Sequence, residues 1–196
     1  MHSMVHYIQK NTRCTCIHSY DSTIVMYSLL SDLKTHLLFL RDDQNCRYEV
    51  LIDIFGVDYP NRDQRFEIIY NLLSIVHNMR IHVKCKLYEG ELPISIGTIF
   101  STASWFEREI FDMYGIAFSE HKDLRRILTD YGFHGNPMLK DFPITGTQEV
   151  IYNEEKRKVV YQAIDLPQDF RRFDTLSPWE GQVHNINIEE KKSDNI

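Results

Sequence analysis

Alanine is almost missing from this chain. There are three, Ala103, Ala117 and Ala163, against twenty-one isoleucines. Protein physics gives no reason to avoid alanine so strongly, whereas an A+T-rich coding sequence does, as in many organelle genomes. An excess of positive charge is missing too. Twenty-two basic residues face twenty-eight acidic ones, for a net charge of −6. Binding to nucleic acid is driven by phosphate neutralisation, so this balance excludes nucleic acid as the main partner. Long apolar runs are also lacking. The most apolar segments, Thr23–Leu30 and Leu37–Leu40, fall far short of the roughly 18 residues of a membrane-spanning helix. Membrane contact is therefore expected only through partner proteins.

Cysteine is scarce, and Cys14, Cys16, Cys46 and Cys85 match no zinc or iron–sulfur spacing. Unpaired thiols favour a reducing compartment, and Cys85, inside an alternating pattern, reads as a buried free thiol. The first residues lack an apolar signal-peptide core. Lys10 and Arg13, with no acid before Asp21, are transit-like and equally suit a short amphipathic start to the fold. No internal repeat, GxGxxG, Walker A or nucleophile-elbow motif occurs, which leaves nucleotide binding and serine hydrolysis without support.

What is present is an ordinary globular composition, 43% hydrophobic and 26% charged over 196 residues. Met1–Asn11 suits a short helix, and Thr12–Leu30 is strand material with a turn near Ser19–Ser22. Asp32–Asp42 fits a helix with Ser31 as its N-cap and Leu33, Leu37 and Leu40 on one stripe. Three strands follow. Tyr48, Val50, Ile52 and Ile54 alternate with Glu49, Leu51, Asp53 and Phe55. Phe66, Ile68, Tyr70 and Leu72 share a face. Ile81, Val83, Cys85 and Leu87 oppose Arg80, His82, Lys84 and Lys86. Short turns, such as the Asp58–Asp63 stretch DYPNRD, imply an antiparallel meander with one solvated or partner-facing side. Ile96, Ile99, Phe100, Ala103, Phe106, Ile110 and Met113 then recur at helical spacing, and Gly115 supplies a stop. The fold class expected is α+β: a two-layer domain over residues 1–118, its mainly antiparallel sheet covered by helices.

Beyond Phe118 the periodicity fades while aromatic residues persist: Tyr131, Phe133, Phe142, Phe170, Phe173 and Trp179, among glycines and prolines. Apolar side chains that share no face cannot make a core of their own, and left in water they form sticky patches. Residues 119–196 are therefore expected to be an extended, mostly irregular arm that anchors its aromatics on another chain.

The run Trp105–Gly115 (WFEREIFDMYG), then Asp123–Phe133 (DLRRILTDYGF), Lys140-Asp141-Phe142-Pro143, Tyr152–Val160 and Phe170–Gly181 (FRRFDTLSPWEG) resembles the signature of the NuoC-type subunits of NADH:ubiquinone oxidoreductase, respiratory complex I. Arg65–Ser74 resembles that family's second strand. The likeness runs from about Leu38 onward. It implies a structural subunit of the peripheral arm, on the matrix side of the mitochondrial inner membrane or in the bacterial cytoplasm. Such a subunit has no catalytic residues and binds no cofactor, while the assembly uses FMN, iron–sulfur clusters and ubiquinone. It also implies packing against the large quinone-site subunit, which the C-terminal arm embraces. With the organelle-like composition, the mitochondrial form is the expectation.

One segment departs from the family pattern, which reads Gly-His-Pro and a basic residue before Lys-Asp-Phe-Pro. Here Asn136 and Leu139 stand in Gly135–Lys140, while the turn-forming Gly135 and Pro137 remain. The signature carboxylates Glu107, Glu109 and Asp112, with Arg108, invite a catalytic or metal-binding reading. On a helix Glu109 and Asp112 share a side and Glu107 lies nearly opposite Glu109, and no Glu-x-x-His pair accompanies them. Glu107, Glu109 and Arg108 read instead as interface or intramolecular ion pairs, and Asp112 joins the expected interface set. His121, beside Glu120 and Asp123, reads as solvated or capping. Arg125-Arg126 and Arg171-Arg172, beside aromatics in an acidic chain, read as carboxylate or stacking partners at a protein interface. Asp130, Lys140 and Asp141 complete the expected interface set. Two alternatives stay open: a free-standing enzyme using the Glu107–Asp112 carboxylates, and the equivalent subunit of a membrane-bound hydrogenase or photosynthetic NDH complex.

Overall fold

The computed structural model describes residues 2–18, 23–168 and 171. The chain divides into two units, Met1–Ile144 and Thr145–Ile196. The first contains helix α1 (His2–Thr12), strands β1 (Thr15–His18) and β2 (Ile24–Tyr27), a 3-10 turn (Leu30–Asp32), helix α2 (Leu33–Asp42), strands β3 (Val50–Asp58), β4 (Phe66–Ser74) and β5 (Met79–Leu87), and helix α3 (Ala103–Tyr114). The strands form one sheet in the order β1-β2-β5-β4-β3. The meander β3-β4-β5 is antiparallel as its short turns require, and β2 joins β5 in parallel after the crossover through α2. The fold is α+β with a mainly antiparallel sheet.

All three helices supply the core on one side of the sheet. Ile8, Leu33, Leu37, Leu40 and Ile110 are buried in a single cluster with Ile68, Tyr70, Leu72, Ile81, Val83, Cys85 and Leu87, the inward phase of β4 and β5. All four cysteines are free thiols, and burial pushes Cys85 up to about 12.

Several local expectations change. Ser31 is not an N-cap: it lies inside the 3-10 turn, its hydroxyl donates to the Asp32 carboxylate, and α2 starts at Leu33. In β3 the pairing register shifts between Leu51 and Asp53, and the extra residue reverses the alternation. Tyr48, Leu51 and Ile54 are therefore buried, while Ile52 faces outward. Ile96, Ile99 and Phe100 are buried ahead of α3 rather than within it, in turns where Ile99 and Phe100 N–H groups donate to the Ile96 carbonyl. Phe106 is half-buried against the core. Gly115, at φ +77°, ends α3 as expected. The first unit does not stop near Phe118. It runs on to Ile144, because the segment after α3 folds back onto the domain.

Among its described residues the second unit contains a hairpin of β6 (Gln148–Asn153) and β7 (Lys158–Ala163), a regular element within the segment expected from sequence to be a mostly irregular arm. The turn between the strands is held by the Asn153 carboxamide oxygen, which accepts from Lys156 N–H, and by Arg157 at φ +49°.

Candidate functional site

Asp112, near the end of α3, is fully buried and gathers the Arg126–Thr129 loop and Asn136 around the helix end. Its Oδ2 accepts from three successive backbone N–H groups, Ile127 at 3.0 Å, Leu128 at 2.7 Å and Thr129 at 2.8 Å. Its Oδ1 accepts from the Thr129 hydroxyl and from the Arg126 guanidinium at 2.7 Å. Burial pushes this carboxyl up, but the Thr129, Ile127 and Arg126 hydrogen bonds outweigh it and hold Asp112 well below the usual carboxylate range. Arg126 also donates to the Gly135 carbonyl at 3.0 Å and lies over the Phe133 ring. Asn136 Nδ2 donates to the Asp112 carbonyl at 2.9 Å, satisfying an acceptor at the helix end. The residue that departs from the family pattern is thus a helix-end partner.

A second clasp fixes the next stretch. Asp58, buried at the end of β3, receives Arg65 through Nε at 2.8 Å and Nη2 at 3.0 Å across the β3-β4 turn. Lys140 N–H donates to the same carboxylate at 2.8 Å, and Asp141 meets Arg65 at 3.1 Å. Arg65 draws Asp58 below its ordinary range, against the opposing effect of burial. Between the two clasps the rings of Phe133 and Phe142 meet at a tilt, with centroids 6.0 Å apart. Phe142 rests on Gly135, where an added Cβ would come within 2.8 Å of the ring. Leu139 packs at the edge of the core.

At the start of α3, Glu107 is also fully buried. It accepts from the Ser95 hydroxyl at 2.6 Å and Ile96 N–H at 2.8 Å, and His121 Nε2 lies 3.7 Å away. Burial pushes this carboxyl up. His121 is not solvated: its side chain is buried, with Nδ1 accepting from Asp123 N–H and Nε2 beside the Ser104 carbonyl. Arg108 makes no carboxylate pair among the described residues. It donates to the carbonyls of Arg125 and Arg126 and lies against the Trp105 ring.

The carboxylates of the signature therefore do not converge. Glu107 and Asp112 serve different loops, and Glu109 is exposed. Arg125 pairs with Asp123 at the surface beside Trp105, which is 60% exposed. Asp130 and Tyr131 also face outward, Tyr131 at 97%. Phe133, Lys140, Asp141 and Phe142, expected at a partner interface, make the contacts given above within their own unit. Arg171 is exposed, and Phe170, Phe173 and Trp179 lie outside the described residues. Sequence reasoning misses Asp58, Arg65, Thr129 and Asn136 as a set; only the DYPNRD turn, which brings Asp58 and Arg65 together, carries a signal.

In the hairpin, Val150 pairs with Tyr161 and Tyr152 with Val159, so these four side chains share one face. They are 49–62% exposed. The opposite face is mixed, with Glu149 and Gln162 hydrogen-bonded to each other.

The family model of the respiratory-chain NADH dehydrogenase 30 kDa subunit matches residues 26–148. The chain belongs to this family. It is 66% identical over 184 residues to the C subunit of NADH-quinone oxidoreductase from Wolbachia sp. subsp. Brugia malayi, covering 94% of this chain and 97% of that protein. To the corresponding protein of Rhodospirillum rubrum it is 58% identical over 150 residues, 76% of this chain and 70% of that one. Solved structures share the fold, among them these two. A trypsin-resistant fragment of Nqo5 superposes with a TM-score of 0.54 at 21% identity, over 61% of this chain and 98% of the fragment. A chain of an archaeal membrane-bound sulfane sulfur reductase superposes with a TM-score of 0.65 at 17% identity, over 73% and 85%.

Proposed function

We infer that this family member is a structural subunit of the peripheral arm of NADH:quinone oxidoreductase, contributing to electron transfer from NADH to quinone without catalytic groups of its own. FMN, iron–sulfur clusters and quinone are assigned to its companions. The observation that carries the scaffold reading is the internal saturation of the signature. Asp112, Glu107 and Asp58 are buried and already committed to backbone N–H groups, hydroxyls and arginines, so they hold loops in place and have no vacancy for a substrate. This favours the scaffold over a free-standing carboxylate enzyme. The relatives' names favour NADH-quinone oxidoreductase over the hydrogenase-type alternative.

The attachment device is the segment after Ile144, and its partner is the large quinone-site subunit. A two-stranded hairpin is marginal on its own in water. Burying the four apolar side chains of one face, at roughly 1.5–3 kcal/mol each when complete, offsets the cost of ordering the segment. Trp105, Arg125 and Tyr131 face outward from the first unit and are assigned to the same contact. No described helix is long and apolar enough to cross a membrane, so contact with the bilayer goes through companions. The subunit works on the NADH-facing side of the membrane. The relatives named above are bacterial, which favours the cytoplasmic side over the mitochondrial matrix suggested by composition.

Deleting residues 145–196 in the intact system tests this reading. The first unit should still fold but be missing from the complex on native gels, and NADH:quinone activity should fall with the loss of assembly. Normal incorporation and activity would overturn the attachment role.

A further inference from the structure

The sheet has a second face, and no described helix covers it. The outward phase runs in rows across the strands: Tyr27, Lys84, Ile69 and Phe55 in one, Ile17, Val25, His82, Asn71 and Asp53 in the next. Val25 and Ile69 are buried, yet neither belongs to the helix-covered core cluster. Around them Ile17, Tyr27 and Phe55 remain 36–48% exposed. A solvated antiparallel face ordinarily alternates to polar residues here, so this apolar content is unusual.

Charge on the face is mainly positive, with Asp53 on β3 and Glu67 on β4 as acidic members. Arg80, His82, Lys84 and Lys86 form a column along β5, successive members about 6.7 Å apart by strand geometry. The acid beside the column, Glu67, is buried and engaged by Lys84 at 3.1 Å and Arg62 at 3.8 Å. Arg80 and Lys86 are exposed and take part in no ion pair among the described residues. A chain of net charge −6 thus sets a cationic rail between two apolar stripes.

We propose that this helix-free face is a docking surface distinct from the C-terminal segment, and that it takes a neighbouring protein subunit whose contact surface sets carboxylates among apolar side chains. The proposal rests on the reading that the chain works inside an assembly. Charge complementarity selects the acidic partner, and the flanking Tyr27 and Phe55 supply the anchors typical of an interface centre.

A photo-cross-linking side chain at Phe55 or at Tyr27, in the assembled complex, tests this, with a third probe at Tyr152 as reference. The expected adducts from the first two positions map to an Asp/Glu-bearing segment of one other subunit. The exposed-site variant Arg80→Glu with Lys86→Glu should lower their yield about tenfold, with the thermal midpoint unchanged, while Arg80→Lys with Lys86→Arg retains it. Adducts to lipid, to a second copy or within the chain overturn the proposal. So does an adduct at Tyr152 alone. Silence at all three positions instead overturns the assembly reading on which it stands.

Discussion

The Tyr114 ring lies against Gly56, at the crossing of α3 and β3. A Cβ at Gly56 would stand 2.9 Å from Tyr114 Cδ2 and 3.0 Å from Cε2, closer than carbon atoms pack. Gly56→Ala should therefore destabilise the first unit by about 1–3 kcal/mol through overpacking. Urea unfolding of Gly56→Ala in the wild-type and Tyr114→Ala backgrounds tests the cause. The cost should nearly vanish in the second background, and an equal cost in both rejects the clash.

Asp112→Asn should cost roughly 3–5 kcal/mol, because it removes the charge facing Arg126 and places an amide donor against backbone donors. The same carboxylate makes the fold acid-sensitive. Its folded pKa lies below the unfolded value near 3.9, so its contribution is full above that value and is lost as pH falls from there toward the folded pKa. The stability gap between wild type and Asp112→Asn, measured by denaturant titration, should be smaller at pH 3 than at pH 7.

Glu107 acts in the opposite sense. Burial raises its folded pKa above the ordinary glutamate value, so the folded state keeps this proton to higher pH than the unfolded chain. The resulting stability is full below the unfolded pKa and lost as pH rises through the folded one. Stability of the wild type relative to Glu107→Gln should thus be greater at pH 5 than at pH 7. A difference that moves the other way would show that the Ser95 and Ile96 hydrogen bonds outweigh burial.

Ile110 is almost fully buried at the centre of α3, and Ile110→Ala should cost about 2–5 kcal/mol. Phe106, only half-buried, should lose less on truncation to alanine than the roughly 3–5 kcal/mol of a core phenylalanine. Thermal or urea unfolding of the two variants side by side decides the ranking.

The sequence is most legible where burial follows a period. The alternation in β4 and β5 places Tyr70, Leu72, Val83 and Cys85 correctly, and the stripe Leu33, Leu37, Leu40 identifies the buried side of α2. One extra residue at the β3 register shift is enough to reverse a face, and no residue type announces it. Helical spacing extends too far upstream, over Ile96–Phe100, because turns repeat every three or four residues as helices do. The least legible features are long-range. A helical wheel puts Asp112 beside Glu109, yet one is buried and the other exposed, since only Asp112 is covered by a loop about fifteen residues downstream. Phe133 and Phe142 carry no periodicity and read, in sequence, as anchors for a partner. They meet across Gly135, a closeness that sequence spacing does not encode.

The register shift in β3 also bears on the chain's life before assembly. β3 is one of the two edge strands of the sheet, nine residues long against four in β1, and its far side offers N–H and C=O groups to any passing strand. The extra residue between Leu51 and Asp53 breaks that row into two shorter pieces and twists one away from the other. A newly made copy waiting for its companions is thereby a poorer template along its longer edge, and growth into stacked aggregates is checked there.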